Sequence, residues 1–170
     1  KRELELAGEM QSLLVPKSWP VDAQIDVSGY YQPHHQIGGD YYDCFEWGAD
    51  CLVICMADVS GKGIGAALLM SNFQANVKTI FQGDDSDLIS KVKILNERVM
   101  ESAQGEKYIT FFAAIFHRSS KRIKYVNCGH NPPLWIDEKG VSSCLELGSV
   151  GLGMFDQLPT IESGELMALP

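Results

Sequence analysis

Seven consecutive apolar residues, Cys51-Leu-Val-Ile-Cys-Met-Ala57, run between the turn residues Gly48-Ala49-Asp50 and an aspartate, Asp58. The stretch is far below the roughly 20 residues that a membrane-crossing helix needs. It has the length of a strand, and an unbroken apolar run of that length predicts one covered on both faces, hence central in its sheet. A sheet of this kind needs partners on either side. Tyr41 to Trp47, aromatic-rich and joined to the run by the turn, supplies one predicted strand. Upstream, Ile25, Val27 and Gly29 alternate with Asp26, Ser28 and Tyr30, the period of another strand.

Downstream the spacing changes. Leu69, Phe73, Val77 and Ile80 or Phe81 mark one face of a helix from Ala66 to Phe81. Asp87 is placed to cap a second helix, with Leu88, Val92, Leu95 and Val99 on one face and Gly105 beyond its end. Short strands are then predicted at Tyr108 to Phe116, Ile123 to Asn127, Leu134 to Ile136 and Val141 to Leu147, broken by Gly129, Pro132-Pro133 and Gly140. Strands, two helices and more strands describe an α+β sandwich. Before all of these, Leu6, Met10, Leu13 and Leu14 fall on one face of a helix that must end before Pro16. Residues 1–15 are therefore read as a linker or regulatory helix, with an ordinary terminal helix packed on the core as the equal alternative, and 16–170 as one domain. Lys1 stands where an initiator methionine would, which predicts a segment of a longer polypeptide fed by an upstream sensor domain, with a homodimer through the first helix as one route of control.

Charge narrows the partners. With 14 Lys and Arg against 22 Asp and Glu, a net charge of -8 and no basic run, the chain lacks the cationic surface that nucleic acid requires. The five cysteines, Cys44, Cys51, Cys55, Cys128 and Cys144, are odd in number and form no Cys-x-x-Cys pair, so they are expected to be reduced core residues of a cytoplasmic protein.

Two acids stand at predicted strand-to-loop junctions beside glycines, Asp40 in Gly38-Gly39-Asp40 and Asp58 in Asp58-Val59-Ser60-Gly61. An aspartate at the exposed end of a buried strand is held rigidly yet reaches solvent. Mg²⁺ and Mn²⁺ take carboxylate, carbonyl and water oxygens. A pair of such ions about 3.5 to 4 Å apart can share a bridging hydroxide and aim it at phosphorus, with no side-chain nucleophile. The sequence offers no Gly-x-Ser-x-Gly elbow and no phosphate-loop cysteine. Taken singly, each Gly-Asp motif reads more readily as turn chemistry, since Gly and Asp are the commonest turn residues; the two together are harder to dismiss.

Three blocks in order, Gly38-Gly39-Asp40-Tyr41-Tyr42-Asp43, Asp58-Val59-Ser60-Gly61-Lys62-Gly63 with Ala66-Ala67-Leu68-Leu69-Met70-Ser71, and Gly129-His130-Asn131-Pro132-Pro133-Leu134, resemble the signature of SpoIIE/RsbU-type phosphatases, bacterial members of the PPM or protein phosphatase 2C superfamily. The resemblance implies an αββα sandwich of two antiparallel sheets flanked by helices, C-terminally incomplete in this chain. It implies Asp58 as the acid bridging two metals, Asp40 on the second metal, and the Val59 carbonyl as a further ligand, with Mn²⁺ or Mg²⁺ bound. The implied reaction is dephosphorylation of phosphoserine or phosphothreonine on a STAS-domain anti-anti-sigma factor or a similar partner-switch protein. Relatives of this type continue into a Thr-Asp-Gly block whose aspartate completes the metal site; no such block occurs before Pro170, which makes a binding module without turnover the alternative. Lys62 stands where many relatives have His and reads as a loop residue. Among the remaining polar residues, His130 is read as a loop residue bonded near the site or a general acid, and His34 and His35 as surface or cleft residues. Asp43 is a strand residue or a supporting acid, and Asp84, Asp85 and Asp87 form a solvated loop with a helix cap, or a weak cation site. The pairs Tyr30-Tyr31 and Tyr41-Tyr42 are expected to bury one ring each.

Overall fold

The structure is a computed structural model and describes residues 2–20, 24–32, 37–83 and 87–168. Helix α1 spans Arg2–Gln11, strands β1 and β2 span Asp40–Trp47 and Cys51–Val59, and helices α2 and α3 span Ile64–Gly83 and Leu88–Ala103. Strands β3 (Ile109–His117), β4 (Arg122–Cys128), β5 (Leu134–Ile136), β6 (Ser142–Cys144), β7 (Gly148–Ser149) and β8 (Gly164–Met167) follow. The main sheet runs β1-β2-β3-β4 with every neighbouring pair antiparallel, and both β7 and β8 pair with β4, β7 in parallel. The β5–β6 hairpin forms a second, small antiparallel sheet.

Helices α2 and α3 cover one face of the main sheet. Val53, Cys55, Ala57 and Val59 of β2 enter that core with Tyr41 and Phe45 of β1 and Ile109, Phe111, Ala113 and Ile115 of β3. Phe73 of α2 meets Tyr41 and Phe111 edge-on, with centroids 6.5 and 5.3 Å away. Each large side chain buried this way contributes about 1.5 to 3 kcal/mol. Across the sheet, Trp135 and Leu145 pack on Phe112, Ala114 and Tyr125, so the hairpin lies over β3 and β4. The α+β arrangement of antiparallel sheets and helices is as expected, the described second sheet being this two-stranded one.

β2 is an interior strand, paired on both sides with β1 and β3, but its second face is covered only in part. Leu52 is fully buried with Cys44 and Phe116, whereas Met56 is 48% exposed. Cover thins along β2 from Cys51 toward Asp58, and that gradient leaves the Asp58 end open.

Several sequence expectations shift. Residues 24–32 make no ladder; Ile25 and Val27 instead pack with Trp19 on the cluster around Leu52. The predicted strand from Val141 to Leu147 shrinks to Ser142–Cys144. Helix α1 buries none of its residues, and Leu6, Met10 and Leu13 are exposed, while Leu14 is half-buried and Val15 packs against the core. All five cysteines are free thiols, but Cys144 is exposed and Cys51 half-buried, which corrects the core assignment for those two. Burial pushes the Cys44 thiol up to about 11 and that of Cys128 to about 12, keeping both protonated. No helix of the described residues is long and apolar enough to cross a membrane.

Candidate metal centre

Asp40 opens β1 and Asp58 is the penultimate residue of β2, and the two are register partners across the antiparallel pair. Directly opposed residues project from the same face with Cβ atoms about 5 Å apart. Alternation turns Tyr41, Ala57 and Val59 into the helix-covered core, so Asp40 and Asp58 leave the sheet on its open side. Asp58 responds to this placement: burial, then the charge of Asp40, then a hydrogen bond between the two carboxyls raise its pKa. Two opposed carboxylates form a ready cation site, because a divalent ion offsets their mutual repulsion.

Glycine lets the two strands close at this point. A Cβ on Gly39 would lie 2.9 Å from the Val59 carbonyl oxygen and 3.1 Å from Val59 Cβ. The Val59 oxygen is thereby placed beside the residue preceding Asp40, and Val59 N–H donates to the Gly39 carbonyl at 3.2 Å. Gly61 has a φ of +90°, which disfavours any side chain, and a Cβ there would lie only 2.8 Å from Lys107 Nζ. Lys107 also donates to the Ser60 carbonyl at 3.2 Å, while the Ser60 hydroxyl accepts the Tyr108 N–H at 2.9 Å. The loop after Asp58 is thus bound to the start of β3. Lys62 is exposed in that loop.

His130 reaches the same region from the loop after β4. Its Nδ1 lies 2.9 Å from Thr110 Oγ1, and Thr110 is the β3 register partner of Asp58. Asn127 fixes the approach, accepting the His130 N–H at 2.8 Å and donating to the Leu145 carbonyl at 3.1 Å. Burial lowers the His130 pKa, outweighing the charge of Asp40, so the ring is neutral at pH 7. A cleft of about 310 Å³ beside these groups is lined by Trp19, Tyr31, Asp40, Tyr42, Met56 and His130 among others. Tyr42 stacks obliquely between Trp19 and Tyr31, at 5.8 and 5.6 Å. Burial and then Asp40 raise the Tyr31 pKa.

Asp43 takes no part in this cluster. It lies on the helix-facing side of β1, 5% exposed, where its Oδ2 accepts from Lys78 Nζ and from the Tyr41 hydroxyl, each at 2.8 Å. It is a strand residue that fastens β1 to α2. Tyr41 is the buried ring of its pair, and Tyr30 is exposed while Tyr31 is half-buried. Asp87 caps α3 through the Ser90 N–H at 3.0 Å. His34, His35, Asp84 and Asp85 lie outside the described residues. The sequence reading missed Thr110, Asn127 and Lys107. Thr110 alone left a signal, as the single hydroxyl within the apolar run from Ile109 to Phe116.

The model of the family described as Stage II sporulation protein E (SpoIIE) matches residues 48–167. The phosphoserine phosphatase RsbP of Bacillus subtilis is 32% identical over 167 residues, covering 93% of this chain and 40% of RsbP. The phosphoserine phosphatase RsbU of the same organism is 29% identical over 179 residues, covering 99% of this chain and 52% of RsbU. The chain thus spans about half, or less, of these relatives. Among solved structures, the SiaA-PP2C domain of Pseudomonas aeruginosa superposes with a TM-score of 0.77 at 15% identity, over 99% of this chain and 67% of that one, and shares the fold.

Proposed function

Because the chain belongs to the SpoIIE family, we propose that it is the metal-binding part of a serine/threonine protein phosphatase, with Asp40, Asp58 and the Val59 carbonyl as ligands for Mn²⁺ or Mg²⁺. The observation that carries the reading is the opposed pair Asp40 and Asp58, with the Asp58 carboxyl raised by burial and by its neighbour. An all-oxygen donor set of this kind suits either ion. Bound there, such a cation supplies charge to offset the phosphoryl oxygens and lowers the pKa of water to give a nucleophile at neutral pH.

The chain's own residues do the positioning. Gly39 brings β1 against β2, Lys107 and Ser60 hold the loop after Asp58, and Thr110 with Asn127 fixes a neutral His130 at the cleft edge. The aromatic wall of Trp19, Tyr31 and Tyr42 suits an extended peptide carrying the phosphorylated residue. The proposed substrate is a phosphoserine or phosphothreonine in a cytoplasmic regulatory protein of the STAS or partner-switch kind, a reading supported by the names of RsbP and RsbU.

Residues 1–15 are proposed as a regulatory helix ahead of the domain at 16–170. Gln11 supports this, since its side-chain amide donates to the Gly38 carbonyl at 2.8 Å and accepts the Gly38 N–H at 2.9 Å. A movement of α1 is thereby felt two residues from Asp40. The exposed Leu6, Met10 and Leu13 offer an apolar face to an upstream sensor domain or to a second copy.

The test is phosphate release from a phosphoserine peptide by the full-length natural polypeptide. Activity with Mn²⁺ that disappears in Asp58→Asn is expected. Metal-independent turnover, or an unaffected variant, would sink the reading, and Mn²⁺ binding without phosphate release would assign the chain to partner binding without turnover.

A further inference from the structure

The far end of β2 carries a second set of donor atoms. Cys51 begins β2 and His117 ends β3, and the two are register partners, so their side chains project from one face of the sheet. Cys51 Sγ lies 3.3 Å from His117 Nδ1. Asp50, immediately before Cys51, adds a carboxylate oxygen, and one donor atom from each residue lies within 4.8 Å of the other two. All three residues are half-buried. Cys51 and Asp58 are separated by about 24 Å of extended strand, so this cluster is remote from Asp40 and Asp58.

The arrangement is built from several sides. Asp50 Oδ1 accepts the Ser119 N–H at 2.8 Å, Oδ2 accepts the Ser119 hydroxyl at 2.7 Å, and the Asp50 carbonyl accepts the Arg118 N–H at 2.8 Å. Hydrogen bonds of this sort orient a ligating carboxylate. The Arg118 guanidinium bonds Glu46 at 3.0 Å and the Ala49 carbonyl at 3.3 Å. Geometry also fits. Ligands bound at about 2.3 Å (sulfur) and about 2.0 Å (nitrogen) with a tetrahedral angle between them are about 3.5 Å apart, close to the Cys51–His117 separation.

We propose that Asp50, Cys51 and His117 form a site for a thiophilic divalent cation, zinc above all, that pins the β1–β2 turn to the β3–β4 turn. Thiolate, imidazole and carboxylate together select zinc-like ions over Mg²⁺ and leave the fourth tetrahedral position to water. The site goes beyond the proposed phosphatase centre and shares no residue with it.

Cobalt(II) is the probe, because cobalt–thiolate bonds give a near-ultraviolet charge-transfer band that an all-oxygen site does not. With the full chain under a non-thiol reductant, the band should saturate at one Co²⁺ per chain and vanish on adding Zn²⁺. It should be absent in Cys51→Ser, and apparent affinity should fall by about tenfold or more in His117→Ala and Asp50→Asn. It should persist in Cys144→Ser and in the double variant Asp40→Asn/Asp58→Asn, which separates it from the proposed phosphatase centre. Zn²⁺ should raise the melting temperature of the wild type and not that of Cys51→Ser, whose metal-free circular dichroism should match the wild type. No band in the wild type, or a band that survives Cys51→Ser, overturns the proposal and leaves a thiol–imidazole hydrogen bond.

Discussion

Replacing Asp43 with alanine tests how β1 is fastened to α2. The carboxylate is enclosed; its Oδ2 takes the Lys78 ammonium and the Tyr41 hydroxyl, and its Oδ1 takes the Cys44 N–H at 2.8 Å. The Lys78 side chain is 32% exposed and sits 4.0 Å from the Phe45 ring centroid. It can rehydrate and keep its aromatic contact, so losing its partner costs only about 1 kcal/mol. The Tyr41 hydroxyl cannot rehydrate and keeps only the weak thiol partner Cys55, and a buried donor left so poorly satisfied costs about 1 to 3 kcal/mol. Asp43→Ala should therefore destabilise by about 2 to 4 kcal/mol. In urea, with a slope of about 2 kcal/mol per molar, the midpoint should fall by about 1 to 2 M at unchanged slope. In a Tyr41→Phe background that poorly satisfied donor is gone, and the two substitutions should couple by about 1 kcal/mol or more. Mn²⁺ affinity should not change, because Asp43 projects from the face opposite Asp40. A loss below about 0.5 kcal/mol, or strict additivity with Tyr41→Phe, would refute the reasoning. Lost Mn²⁺ binding in a folded variant would return Asp43 to the metal centre.

Gly39→Ala forces a Cβ against the Val59 carbonyl, so it should lower Mn²⁺ affinity at least tenfold in a titration while costing about 1 to 3 kcal/mol of stability as an overpacked contact; unchanged affinity would show that the approach of the strands is not needed. Asp87→Ala removes the cap of α3 and should cost about 1 kcal/mol at pH 7 by urea unfolding. Hydrogen bonds from Ser90 hold the Asp87 carboxyl below its usual range. Its contribution is therefore present above the unfolded value near 4 and lost as pH falls through the lower folded value. Wild type and variant should converge in strong acid, and a gap independent of pH would contradict this.

The main elements were legible where a local pattern and a tertiary requirement coincide. The apolar run at Cys51 is an interior strand of the sheet, and Asp87 with the spacing from Leu88 to Val99 set the start and buried face of α3. The reading failed at residues 24–32, where alternation reports one inward face but not whether a strand edge is available; Ile25 and Val27 use that face to pack over the sheet. Asp40 and Asp58 were visible as glycine-flanked acids, yet their opposition depends on the register of β1 on β2. Alternation left open which of Tyr41 and Tyr42 turns inward, so only the fold placed Asp43 on the inner face with Lys78 as its partner. Thr110, Asn127 and Lys107 act through contacts spanning 18 to 47 residues, which no local pattern encodes. Cys51 and His117, at 66 residues' separation, meet for the same reason.

A Mn²⁺ titration of the chain, followed by loss of the electron paramagnetic resonance signal of free Mn²⁺, bears most directly on Asp40 and Asp58. Wild-type protein should bind Mn²⁺, and Asp40→Asn and Asp58→Asn should each weaken binding by about tenfold or more, since each removes one of two opposed carboxylates. Equal affinity in wild type and both variants would contradict the account, and the opposed pair would then be turn chemistry alone.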